Sequence, residues 1–259
     1  MAIWEVELFI YGPVKVSNVE KFKTQKGTNF NPFFSDIEIK NFDEGLNFKV
    51  TAFAPTSELA NNAAMVFVGQ MLDCLVLDIK VPIPLFLSFD GKKVNFSRNS
   101  NVKRFISKGE FKRAFVESLN LLNGEPSFLK AYGWYRKGLY TEDPFDKFLA
   151  FYNTIEVVAT NYHPKNEASK KGSKSQIWEC FKLLWGNCDQ WPLIIKDQIN
   201  WIDDNYNTRV GIAHGLANVN VEEVGKVINM SETIQKVAFM FLRDWKSKQF
   251  NQVGQREII

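Results

Sequence analysis

Histidine is scarce in this chain, and the scarcity narrows the chemistry. Only His163 and His214 occur in 259 residues. A metal centre of the His-rich kind needs more ligands than that, so no metal is expected. A Gly-rich phosphate loop and a GxSxG elbow are both missing. With no motif around Ser or Cys to support a nucleophilic triad, His214 is left as the reactive candidate. It lies in Tyr206-Asn-Thr-Arg-Val-Gly-Ile-Ala-His-Gly215, four residues beyond Arg209. An imidazole, with an unperturbed pKa of about 6.5, takes up or delivers a proton near neutral pH. A guanidinium presents a fork of donors to anionic oxygen. The two side chains together suit proton transfer beside a developing negative charge.

The pattern Arg209, four residues, His214, flanked by Ile212-Ala213-His214-Gly215, is similar to the RxxxxH signature of the HEPN superfamily, whose His stands near the start of a late helix. The segment from Tyr135 to Glu156, with Asp143-Pro144 inside it, resembles the helix pair of methylamine-utilisation MauJ-like and ApeA-like HEPN proteins. The likeness covers Phe111 to Trp245, and more loosely the residues before it.

The resemblance implies an all-helical bundle that dimerises and places two Arg/His pairs in one cleft. It implies a cofactor-free, metal-independent endoribonuclease, acting as a toxin or anti-phage defence effector, with catalytic residues Arg209 and His214. RNA (tRNA, mRNA or rRNA), a second copy of the chain and a regulatory or antitoxin partner are the partners implied. Such cleavage needs one group to remove the 2′-hydroxyl proton and another to protonate the leaving 5′-oxygen. One histidine per chain does not easily perform both tasks, which makes a homodimer a mechanistic expectation. The sequence departs from the family where Val210 follows Arg209, a place commonly polar and often Asn. Asn205 and Asn207, just before Arg209, are candidates to compensate. The alternative is an inactive HEPN module that binds RNA, a nucleotide or a protein.

Residues five apart on an ideal helix point about 140° apart. Arg209 and His214 therefore converge only if a helix begins, bends or breaks between them, and Gly211 permits that. For each there is also a plainer reading: a helix-cap or core histidine, and a surface or salt-bridged arginine. Glu156 falls on the apolar stripe of Phe145, Phe148, Leu149, Tyr152 and Ala159. A carboxylate there requires a partner. Arg209 is the candidate, against a partner elsewhere or a Glu at the stripe's edge. Lys170, Lys171 and Lys174 are candidates for phosphate contact, against a merely solvated linker. His163, just before Pro164, reads as a helix-end residue. Trp178, Trp185, Trp191 and Trp201 could stack on bases, but their spacing favours core or dimer interface.

Stepping outward to the elements, the sequence divides by periodicity into an α+β unit, residues 1–105, and a HEPN-like helical unit, residues 106–259. Trp4–Ile10, Ser35–Lys40 and Leu46–Phe53 alternate as half-buried antiparallel strands do. Pro84–Phe89, Asp90-Gly91 and Lys92–Phe96 read as a hairpin. One helix interrupts this sheet, from Thr56 to Asp73, its Ala60, Ala63, Ala64, Phe67, Val68 and Met71 facing the strands. Helices follow over Phe111–Leu122, Ser127–Leu139, Pro144–Tyr162, Gln176–Trp185, Leu193–Tyr206 and Val221–Lys248. Lys165–Ser175 reads as a mobile surface loop.

Composition agrees with a globular chain: 45% hydrophobic, 24% charged, and a net charge of +3 that permits phosphate contact without demanding it. Cys74, Cys180 and Cys188 lack CxxC spacing and read as thiols in a reducing compartment. No signal peptide or span-length apolar run is apparent, so a cytoplasmic protein without a membrane partner is expected.

Overall fold

Alternating apolar residues build the sheet. A computed structural model describes residues 2–23, 33–87, 103–215 and 220–250. Strand β1 (Ala2–Tyr11) pairs antiparallel with β5 (Gly45–Ala54) along its whole length, Val6 opposite Val50 and Leu8 opposite Phe48. Strands β3 (Glu20–Lys23), β4 (Phe33–Phe42) and β6 (Leu85–Leu87) complete a five-stranded sheet in the order β3-β4-β5-β1-β6. Two short strands, β2 (Val14–Lys15) and β7 (Arg104–Phe105), form a separate parallel pair. Leu8, Ile10, Ile37, Ile39, Phe48 and Val50 are fully buried. Burying a side chain of this size contributes about 1.5–3 kcal/mol.

Helix α1 (Ser57–Ile79) packs on β5 and β1. Thr56 caps it, its side-chain oxygen accepting from the Leu59 amide. Ala60, Ala64, Val68 and Met71 are buried as the stripe predicts, and the helix runs beyond the expected end at Asp73. At 23 residues it is long and apolar enough to cross a membrane by length and composition, yet 56% of its apolar window is buried in the fold. The second half of the expected hairpin, beyond Leu87, lies outside the described residues.

The chain forms two compact units, Met1–Gly124 and Glu125–Ile259. Helix α2 (Lys108–Gly124) thus goes with the sheet, whereas the periodicity switch had grouped it with the later helices. Aromatic packing is the reason. Phe111 lies edge-on to Phe22 and Phe48, and Phe115 stacks on Phe67 of α1.

The second unit is helical. It comprises α3 (Pro126–Tyr140), α4 (Pro144–Tyr162), α5 (Ser173–Trp185), α6 (Trp201–Ala213) and α7 (Val221–Trp245), with one π-helical turn from Lys246 to Phe250. Asp143 caps α4 as expected, accepting from the Phe145 and Asp146 amides at 2.9 Å. Helix α4 packs against α3, α5, α6 and α7, and its Phe148, Phe151 and Val158 are fully buried. Trp185, Trp191 and Trp201 gather around Phe181, so these tryptophans serve the core.

Two expectations need correction here. Residues 193–200 are not helical: Asp197 takes a left-handed backbone with φ +62°, which a helix cannot propagate. The helix begins instead at Trp201 and runs through the Arg209 motif. The expected mobile loop before α5 is instead built around a 3₁₀ turn, Ser169–Lys171, and α5 starts at Ser173. Asn166 and Ser169 close that turn on each other, Asn166 Oδ1 accepting from the Ser169 amide at 2.9 Å.

Candidate functional site

Helix α6 carries the motif at its C-terminal end. Arg209 and Gly211 are helical, Ala213 is the last helical residue, and His214 is the C-cap. The amide of His214 donates to Val210 O and that of Gly215 to Ile212 O, both at 3.1 Å. Gly215 then turns left-handed at φ +66° and stops the helix, a conformation glycine adopts at little cost. The helix is therefore unbroken between Arg209 and His214, contrary to the break allowed for at Gly211. The break comes after the histidine, and His214 stands at the close of a helix rather than near the start of one.

The imidazole of His214 is exposed and makes no hydrogen bond or ion pair among the described residues. It occupies the helix-cap position that was the plainer reading of this residue. Arg209 is only partly accessible, its side chain 30% exposed. Its Nη2 donates to Glu156 Oε2 at 3.3 Å, with the Glu156 side chain 17% exposed. The carboxylate on the α4 stripe and the guanidinium on α6 thus supply each other's partner. One N–H contact leaves most of the guanidinium's five donors uncommitted, so Arg209 is held and still able to bind an anion.

One turn earlier on each helix stand Tyr152 and Asn205, 2% and 4% exposed. Asn205 Nδ2 donates to Trp201 O at 2.7 Å, which fixes the amide with Oδ1 as the remaining acceptor. Asn205 Oδ1 and Tyr152 Oη are both buried without a partner. The two residues line a small cavity together with Ile155, Ile177, Trp201, Ile202 and Ile234. Burial first, and then the Glu156 carboxylate, push the Tyr152 phenol upward, while Arg209 opposes them; the hydroxyl stays protonated. Asn205 therefore faces the interior and cannot replace the polar group that Val210 removes. Asn207 is exposed on the same helix. Tyr152 passed in the sequence as one ring of an apolar stripe, and nothing in its spacing marked the hydroxyl.

The lysine candidates lie on the turn before α5 and in its first residues. Lys170 pairs with Glu167, and Lys174 Nζ lies 2.8 Å from Asp203 Oδ1 and 5.7 Å from the Tyr206 ring centre. The Asp203 carboxylate raises the ammonium of Lys174 above its ordinary value. Lys171 is exposed and makes no ion pair among the described residues. Two of the three cations are thus already neutralised by carboxylates, which tempers their attraction for phosphate. His163, at the end of α4, has Nδ1 3.0 Å from Pro164 O and Nε2 3.2 Å from Lys165 Nζ, a helix-end role. Cys74 and Cys180 are buried free thiols, the latter pushed up to about 12 by burial; Cys188 is half-buried.

No curated protein and no solved structure matches the chain. A family model described as methylamine utilization protein MauJ matches residues 131–242, from within α3 to near the end of α7, and this stretch carries Glu156, Arg209 and His214.

Proposed function

We propose that the helical unit is a HEPN-type endoribonuclease that works without a metal ion, with Arg209 and His214 as its catalytic residues. The observation that carries this reading is the state of the two side chains. Arg209 is pre-oriented by a carboxylate yet keeps free donors, and His214 is solvent-exposed a few residues further on. In the reaction the RNA 2′-oxygen bonds to phosphorus as its proton passes to a neutral imidazole. The bond to the 5′-oxygen breaks as an imidazolium delivers a proton to it. Arg209 binds the non-bridging oxygens, where charge builds up. Each chain brings one such histidine, and a homodimer supplies both protonation states in one cleft. A cytoplasmic toxin or defence effector restrained by a partner protein is the biological role this chemistry fits.

The test is incubation of the purified chain with total RNA or tRNA in EDTA, reading the product ends. Products ending in a 2′,3′-cyclic phosphate are expected, and Arg209→Ala and His214→Ala should abolish them. Identical RNA patterns from wild type and His214→Ala would sink the proposal. A second reading, an inactive module that binds RNA, a nucleotide or a protein, is favoured by Val210 and by the paired states of Lys170 and Lys174. RNA affinity that survives His214→Ala, without products, selects it.

A further inference from the structure

Glu156 and Arg209 are 53 positions apart, and so are Tyr152 and Asn205. On both helices the second pair sits four residues, about one turn, before the first. The ion pair is therefore one rung between α4 and α6, and the cavity lined by Tyr152 and Asn205 marks a second rung beside it. This second rung holds a complementary but unmade interaction. A phenol donates and an amide oxygen accepts, and both atoms are buried with no partner. Leaving either unsatisfied costs about 1–3 kcal/mol, a penalty that folded proteins rarely retain.

The cavity between them is about the size of one water molecule. Its remaining walls, Ile155, Ile177, Trp201, Ile202 and Ile234, are apolar and offer no competing acceptor side chain. The orientation of the amide is settled by its bond to Trp201 O, so Oδ1 has no other role inside α6.

We propose that this cavity is a site for one ordered water, which accepts from Tyr152 Oη and donates to Asn205 Oδ1, and that the rung so closed makes Tyr152 and Asn205 positioning residues for Arg209. Few contacts other than these join α6 to α4 near the motif: Arg209 meets Glu156 through a single N–H at 3.3 Å. A weak ion pair of that geometry is held in place by what lies next to it. The inference rests on the ion pair and the cavity alone and does not require ribonuclease activity.

Two measurements on the full chain test it, and neither uses RNA. A high-resolution crystal structure is expected to show a solvent peak within hydrogen-bond distance of both Tyr152 Oη and Asn205 Oδ1. A dry cavity, or a direct Tyr152–Asn205 hydrogen bond, overturns the water site. Nitrogen-15 NMR of the Arg209 side chain then reads the positioning role. Tyr152→Phe keeps the ring and so the packing, and should speed exchange of the Arg209 guanidinium protons with solvent. The expected change is roughly fivefold, the factor that the net worth of one hydrogen bond converts to. Asn205→Leu should give a similar change, and Tyr152→Phe combined with it little more. Exchange unchanged in Tyr152→Phe, in a protein whose backbone spectrum remains that of the wild type, overturns the positioning role.

Discussion

Arg209 on α6 and Glu156 on α4 hold each other at 3.3 Å, each less than one-third exposed. The pair lies between a surface salt bridge, which contributes at most about 1 kcal/mol, and a buried one, whose disruption costs about 3–5 kcal/mol. Glu156→Gln keeps the shape and removes the charge. It is expected to lower stability by about 1–2 kcal/mol, as does Arg209→Ala, with the double variant costing less than the sum. Urea denaturation of the four proteins yields the coupling energy. A coupling indistinguishable from zero would mean that the two groups are merely adjacent.

The contact was legible in the sequence because burial of a carboxylate demands a partner, and Glu156 fell on an apolar stripe. The Asp143-Pro144 cap of α4 was legible for a similar reason: both residue types are specific to a helix start. The start of α6 was not, since periodicity alone carried the helix back to Leu193 and gave no sign of the left-handed backbone at Asp197. The stop at Gly215 had a signal, a glycine just past the last turn, but the motif drew attention to Gly211 instead. Ser107 and Glu110, three apart before the apolar run of α2, had a signal too, and it went unread. Their side chains cap each other's amides, Ser107 Oγ accepting from Glu110 N at 3.2 Å and Glu110 Oε2 from Ser107 N at 2.9 Å. The partnerless hydroxyl of Tyr152 had no such signal, because it depends on which residues α6 brings opposite.

The two glycines of the motif should respond in opposite ways to alanine. A Cβ on Gly211 would meet nothing within 4 Å, and the residue is helical, so Gly211→Ala should be neutral or stabilising by up to about 1 kcal/mol. Gly215 is held at φ +66°, where an L side chain is strained. Gly215→Ala should cost about 1 kcal/mol. Thermal denaturation of the two variants side by side decides it. A destabilising Gly211→Ala would mean that the helix does break inside the motif.

Gly138 on α3 is a tighter constraint. A Cβ there would lie 2.6 Å from Cε1 of Phe151, a ring that is fully buried on α4 and cannot swing away. Alanine has the better helix propensity, by about 1 kcal/mol. Overpacking is expected to outweigh it, leaving Gly138→Ala net destabilised by about 1–3 kcal/mol. Should Gly138→Ala prove as stable as wild type by denaturant midpoint, α3 and α4 must be able to separate without penalty.

The capping box of α2 supplies a pH test. Glu110 is 12% exposed. Burial works against its charge, yet the Ser107 amide, the Ser107 hydroxyl and the Arg104 guanidinium together hold its carboxyl below the ordinary value of 4.5. A carboxylate depressed on folding stabilises the native state above its unfolded pKa, and that contribution fades as pH falls through the folded pKa. Glu110→Gln should therefore be less stable than wild type by about 1 kcal/mol at pH 7, the usual worth of a cap. The gap should shrink once the pH drops below 4.5. Denaturation of both proteins from pH 7 down to the acid limit of folding measures it. A gap that stays constant through the acid range would show that the charge of Glu110 contributes nothing, and that its hydrogen bonds could be made equally well by a neutral amide.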